Sequence, residues 1–212
     1  TPATSSAASD VYKRQKQQSL NLKFQDYIYL QDMQTCSFFE EILTRCKNFI
    51  DGNGHSMILM GKEDMAKSFF FYALYNHLKQ NNNCYFKSIK QDSDFLSCED
   101  LKEDIIFLDS YNTSYGSKNG EILLFKFFNE SKLKKSKVLL NNSIYHEQKP
   151  NLKDLESRMS SSLLINFPLL SDEDKKIIII NFLKNRGLIL TDQSIEFILN
   201  LSLIHISEPT RH

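Results

Sequence analysis

The chain has no tryptophan, only 4 prolines and 6 glycines in 212 residues, and no excess of charge of either sign. So few prolines and glycines exclude collagen-like and low-complexity chains, and 41% hydrophobic residues exclude a largely disordered one. No uninterrupted apolar run approaches the roughly 20 residues that a membrane-spanning helix needs. With 26 basic and 26 acidic side chains, the chain lacks the positive excess of a protein built mainly to coat nucleic acid. The four cysteines, Cys36, Cys46, Cys84 and Cys98, show no CxxC spacing, and no secretory signal is visible. They read as reduced, small buried residues of a cytoplasmic protein, and no metal-ligand spacing involves His55, His77 or His146.

The two ends read differently from the middle. Asp10–Gln15 (DVYKRQ) can be encoded by GATGTGTATAAGAGACAG, and the reverse complement of that string encodes LSLIHI, which is Leu201–Ile206. An inverted repeat at both ends of one reading frame resembles a sequencing-library adapter, so residues 1–15 and 201–212 are expected to be adapter-derived and are set aside. Residues 16–200 then carry 23 basic and 24 acidic side chains.

Within that segment short apolar runs alternate with helical patterns. Thr35 is expected to cap a helix running to about Ile50, and Asp51–Gly54 to break it. Strands are expected at Ser56–Met60, Cys84–Ile89, Asp104–Asp109, Val138–Leu140 and Leu163–Phe167. Helices are expected over Ala66–Lys79 and Glu121–Leu133, then after the caps Ser171 and Thr191, with Gly187 between. The pattern implies an α/β fold with a five-stranded parallel sheet flanked by helices and a partial helical lid. The expected divisions are a nucleotide-binding region over 26–168 and the lid over 169–200.

In such sheets ligands sit beyond the carboxyl ends of the strands. The first strand is followed by Gly61-Lys-Glu-Asp-Met-Ala66-Lys67-Ser68, a GxxxxGKS phosphate loop with alanine for the second glycine. Lys67 suits phosphate and Ser68 suits magnesium. Against a strong site, Ala66 costs about 1–2 kcal/mol if its backbone must be left-handed. Glu63 and Asp64 each oppose a phosphate charge by about 4 kcal/mol at 4 Å and an effective dielectric of 20. A loop that binds nothing tightly is the competing reading. Asp109 ends the third strand where a magnesium-organising aspartate is expected. Ser110 follows it, and a hydroxyl is a poor general base, so little ATPase of its own is expected.

Three further features have two readings each. Arg158 in LESRM either offers an arginine finger to a neighbouring subunit or pairs with Glu156 or Asp154. As a finger it is expected to stand clear of carboxylates at the carboxyl-terminal rim of the sheet. Asn141 and Ser143 either sense a terminal phosphate or cap a loop. The lysines of Ser131–Lys137 either sit at a helix's negative end or contact DNA phosphate. Near the start, Gln17, Leu20 and Leu22 suit an extended peptide, over 16–25, docking in a partner's apolar pockets, or an ordinary edge strand.

Together, Gln17–Leu22, the altered phosphate loop, the Asp109-Ser110 pair, LKDLESRM, Pro168–Asp174 and Lys184–Leu190 resemble the Hda family, DnaA-like AAA+ proteins that inactivate the replication initiator DnaA. The resemblance implies a P-loop AAA+ fold. It implies that Gln17, Leu20 and Leu22 dock on the DNA polymerase sliding clamp, although Gln18 stands where the family pattern has leucine. It implies that Arg158 acts in trans as the finger on DnaA-bound ATP. Gly61, Ala66, Lys67, Ser68, Asp109 and Asn141 would then hold ADP, with Mg2+ accompanying the nucleotide. The implied partners are DnaA, the clamp and a second copy in a homo-oligomer, with DNA met through the clamp and no membrane involved. The family's lid arginine would lie beyond Asn200. The alternative is an autonomous P-loop ATPase of the helicase-loader or initiator type.

Overall fold

The strands form where short apolar runs are bounded by polar turn residues. The computed structural model describes residues 28–61, 65–98, 101–142, 149–189 and 191–196. Within these, β1 is Ser56–Met60, β2 Cys84–Ser88, β3 Ile105–Asp109, β4 Lys137–Asn141 and β5 Leu163–Asn166. Every neighbouring pair runs parallel, in the spatial order β2-β3-β4-β1-β5. β3 is buried at every position and β1 and β4 at four of five, as continuous apolar runs require of strands covered on both faces. The edge strand β5 leaves Leu163 and Leu164 half exposed.

Alternation along the strands divides the core in two. On one face, Met57, Leu59, Phe107 and Leu139 meet Phe70, Phe71 and Leu74 of α2 (Met65–Leu78) and the apolar stripe of α1 (Phe39–Asp51). On the other, Ile58, Ile106, Leu108, Val138 and Leu140 meet Leu124, Phe127 and Phe128 of α3 (Lys118–Leu133), with Leu155 and Met159 of α4 (Lys153–Ser160). The result is the expected α/β fold, a parallel sheet between two helical layers.

α5 (Asp172–Lys184) follows β5 as expected. Ser171 accepts a bond from the Asp174 amide at 3.1 Å, and three acidic residues fill the first turn. Gly187 ends the segment in the left-handed region, at φ 70°. Thr191 then accepts from the Ser194 amide at 3.3 Å, where a helix opens over residues 192–196. The Thr35 cap does not form. α1 begins at Phe39 with no side-chain cap, four residues after Thr35, whose hydroxyl oxygen accepts instead from Asn181 of α5 at 3.1 Å.

Candidate functional site

Register assembles the first candidate site. Ser88 pairs with Asp109, and Asp109 with Asn141, so three polar side chains form one row across the carboxyl ends of β2, β3 and β4. The Asn141 amide donates to Asp109 Oδ1 at 2.7 Å and to Ser68 Oγ at 3.2 Å. Ser88 Oγ lies 3.5 Å from the other Asp109 oxygen. The residues read from the sequence as phosphate- and magnesium-binding are thus joined through Asn141, whose own Oδ1 is buried without a partner.

Lys67, in the first turn of α2, is 1% exposed. Its ammonium donates to the Asn142 carbonyl at 2.9 Å, to the Asn142 side-chain oxygen and, at 3.5 Å, to the Gly61 carbonyl. Burial pushes its pKa down to about 8, with the Asp109 carboxylate pulling the other way. Asp109 is displaced upward, chiefly by burial, against the Asn141 bond, Lys67, Ser88 and the Ser110 amide. Each charge has lost water to the interior and is incompletely repaid by the other.

Two details differ from expectation. Ala66 lies inside α2, with no positive φ, so the left-handed cost does not arise there. Beside the site, Ser110 adopts left-handed backbone at φ 57°, its amide bonded to the Asn141 carbonyl at 2.8 Å. Gly61 sits in tight space: a Cβ would stand 3.0 Å from the Phe167 carbonyl oxygen, closer than ordinary van der Waals contact.

Ser68 and Asp109 are hard oxygen donors of the kind magnesium takes, and the unpartnered Asn141 oxygen marks spare acceptor capacity beside them. These residues fit a nucleotide with its metal, provided that Lys67 exchanges Asn142 for phosphate. Ser88 and Asn142 were not foreseen. Their membership depends on strand register and on the lysine's reach.

Arg158 lies elsewhere. It is half-buried in the last turn of α4 and lines a cavity of about 220 Å³ with His55, Ser56, Phe128, Lys132 and Ser161. His55 and Ser56 open β1, whereas Gly61 follows its other end, so Arg158 stands on the order of 15 Å from the phosphate loop along the strand. The rim placement is therefore corrected: α4 runs back against the strands, and its last turn falls just before β5. The salt-bridge alternative is not seen. Glu156 sits 3.9 Å from Lys149 instead, and no carboxylate among the described residues pairs with the Arg158 guanidinium.

The lysine cluster also divides. Lys137 Nζ donates to the carbonyls of Phe49, Gly52 and Gly54 and caps the end of α1, while Lys132 faces the Arg158 cavity. Gln17, Gln18, Leu20, Leu22, Glu63, Asp64, Ser143, His146 and both expected adapter segments lie outside the described residues.

No protein-family model and no curated protein matches the sequence. Solved structures do. The chain is similar to a DNA replication initiation factor (19% identity, TM-score 0.56, 76% of this chain and 54% of that one). It is also similar to the replication initiator DnaA bound to AMPPCP and single-stranded DNA (17%, TM-score 0.59, 81% and 59%). Domain III of Thermotoga maritima DnaA matches at 14% identity and TM-score 0.60, over 82% of this chain and 80% of the domain. The chain thus spans little more than half the length of the first two. At these identities the likeness establishes the fold alone: a five-stranded parallel sheet between helical layers, as in the DnaA domain that it matches.

Proposed function

We propose that this chain is a replication-control protein of the Hda type, cytoplasmic, which uses Arg158 to promote hydrolysis of ATP bound to DnaA. The observation that carries the reading is that Arg158 pairs with no described carboxylate; its place at the end of the sheet opposite the chain's own candidate phosphate loop departs from the rim position expected of a finger. A guanidinium there is too far from its own nucleotide site to act on it, and is available to phosphate held by another molecule. Such an arrangement is head-to-tail, each subunit offering its finger to the next, and suits both a heterologous contact with DnaA and a homo-oligomer.

The chain's own residues divide the work. Arg158 would neutralise charge on the phosphoryl oxygens as it develops, and removing such a finger typically costs 10³–10⁵ in rate. Lys67, Ser68, Asp109 and Asn141, with Gly61 and Ala66 in the loop, would hold ADP, Lys67 against phosphate and Ser68 with Asp109 around Mg2+. Bound nucleotide there supplies a fixed anionic framework rather than a turnover site, because Ser110 offers no base. Gln17, Leu20 and Leu22 would dock on the sliding clamp, which brings the protein to DNA.

The test is hydrolysis of DnaA-bound ATP in the presence of clamp-loaded DNA. The wild-type chain should stimulate it, and Arg158→Ala should lower the stimulation at least 100-fold. Equal stimulation by both removes the finger. Steady turnover by the chain alone, abolished by Lys67→Ala, would place the catalytic site in this protein. A Leu20→Ala/Leu22→Ala variant recovered equally on immobilised clamp would end the docking assignment.

A further inference from the structure

The cavity around Arg158 holds more positive charge than one finger requires. Lys132 comes from the last turn of α3 and Arg158 from the last turn of α4, and both line the same space of about 220 Å³. No carboxylate lines it among the described residues. Neither cation has an ion-pair partner among them. The remaining lining brings no competing charge: the Ser161 hydroxyl donates to the Arg158 carbonyl at 2.7 Å, Ser56 Oγ is bonded to Ser162 Oγ at 2.7 Å, and the ring of Phe128 is an apolar wall. Two like charges drawn to one cavity repel unless something negative lies between them. The carbonyl ends of two helices offset part of that repulsion, but those dipoles belong to the helix ends and leave the cavity itself without a counter-charge.

We propose that this cavity is a receptor for a phosphoryl dianion, with Arg158 and Lys132 as its two cations. A guanidinium presents paired N–H groups to two phosphate oxygens, and an ammonium serves as a point charge on a third. The volume accommodates one phosphoryl group. The anion can reach the cavity free in solution or on a nucleotide held by a partner; the chemistry of recognition is the same. The site does not depend on the DnaA reading, although it shares Arg158 with it.

His55 reports on occupancy. Its Nδ1 lies 3.0 Å from the Ser136 carbonyl and therefore carries the proton, and its Nε2 is 3.3 Å from Ser131 Oγ. Burial holds its pKa below the ordinary histidine value, the Ser136 and Phe128 carbonyls oppose that, and Lys132 and Arg158 depress it further. An anion between those two cations removes their contribution, so the imidazole pKa should rise on binding.

The experiment follows the His55 imidazole resonances by NMR in the full chain while inorganic phosphate, then pyrophosphate, is added. The Gly61 amide serves as a separate reporter of the phosphate loop. Saturable movement of His55 with a raised pKa, weakened at least tenfold by Lys132→Ala and by Arg158→Ala, establishes a free-anion site. Lys132 is exposed, so its variant should fold. No response to either free anion, but a response on adding DnaA loaded with AMPPCP that Lys132→Ala abolishes, supports the site and assigns the phosphate to the partner. Absence of both responses overturns the proposal, as does a response that Lys132→Ala leaves unchanged. Saturation at Gly61 alone also overturns it and leaves the DnaA reading untouched.

Discussion

Lys67 concentrates the energetic conflict of the phosphate loop in one side chain. Its three acceptors are neutral, its water has been removed, and the carboxylate of Asp109, itself penalised by burial, offsets only part of that loss. Because its native pKa is depressed to about 8, the unfolded chain holds more protons than the native one between that value and the ordinary lysine value. The contribution of Lys67 to stability therefore rises with pH across that window. Urea unfolding of wild type and Lys67→Met should show a stability difference that moves in favour of wild type from pH 7 to pH 10. A pH-independent difference would show that the ammonium keeps its ordinary pKa. Ser110 makes a second residue-level prediction. Its left-handed backbone is one that glycine adopts without steric cost. Ser110→Gly should stabilise by about 1 kcal/mol, the strain relieved less the added chain entropy; a loss of stability would mean that the hydroxyl has a role not seen here.

At the scale of elements, the joint between α3 and α4 depends on Glu121. This side chain, near the start of α3, accepts amide bonds from Gly116 at 2.9 Å, Asn151 at 2.9 Å and Leu152 at 2.7 Å. Leu152 is the N-cap of α4 and brings no polar cap of its own, so the carboxylate of a distant helix serves instead. Burial works to raise the Glu121 pKa, but the three amides outweigh it and the net direction is down. A lowered native pKa places this stabilisation above the ordinary glutamate value and removes it as pH falls through the native one. Glu121→Gln should cost about 2–3 kcal/mol at pH 7, and the difference should shrink as pH falls below the ordinary glutamate value; a constant difference would remove the charge from the explanation. The strands and the caps at Ser171 and Thr191 were legible in the sequence because both are local: continuous apolar runs for buried strands, a hydroxyl three residues before an amide for caps. Thr35 misled because its partner, Asn181, lies 146 positions away. The Ser88–Asp109–Asn141 row was half legible, since a strand-end aspartate is visible alone but its neighbours appear only once sheet order is known. Glu121, His55 and Lys132 carry no motif; contacts between elements give them their roles.

At the scale of the whole molecule, one buried ion pair decides how α5 meets the rest of the fold. Asp32 is 0% exposed and accepts from Arg186 at 3.1 and 3.3 Å, from Asn185 at 2.7 Å and from the Tyr29 amide at 3.1 Å. The guanidinium lies 3.6 Å from the Phe182 ring centroid and 5.6 Å from that of Tyr29. Phe182 in turn packs edge-on to Phe69 of α2, with ring centroids 5.6 Å apart. These contacts tie α5 and the two residues just past it to the segment before α1 and to α2. Asp32→Ala would leave a largely buried arginine without its counter-charge, a change that typically costs about 3–5 kcal/mol. Replacing both partners with apolar residues, Asp32→Leu with Arg186→Met, should restore most of that loss, because the desolvation of both charges disappears together. Urea unfolding tests the pair through this non-additivity. Hydrogen exchange then tests the architecture: if α5 is fixed by the ion pair, protection across 172–184 should fall in Asp32→Ala and return in the double variant, with ADP changing neither. If ADP alone restored protection in Asp32→Ala, the nucleotide, and not the ion pair, would set the position of α5.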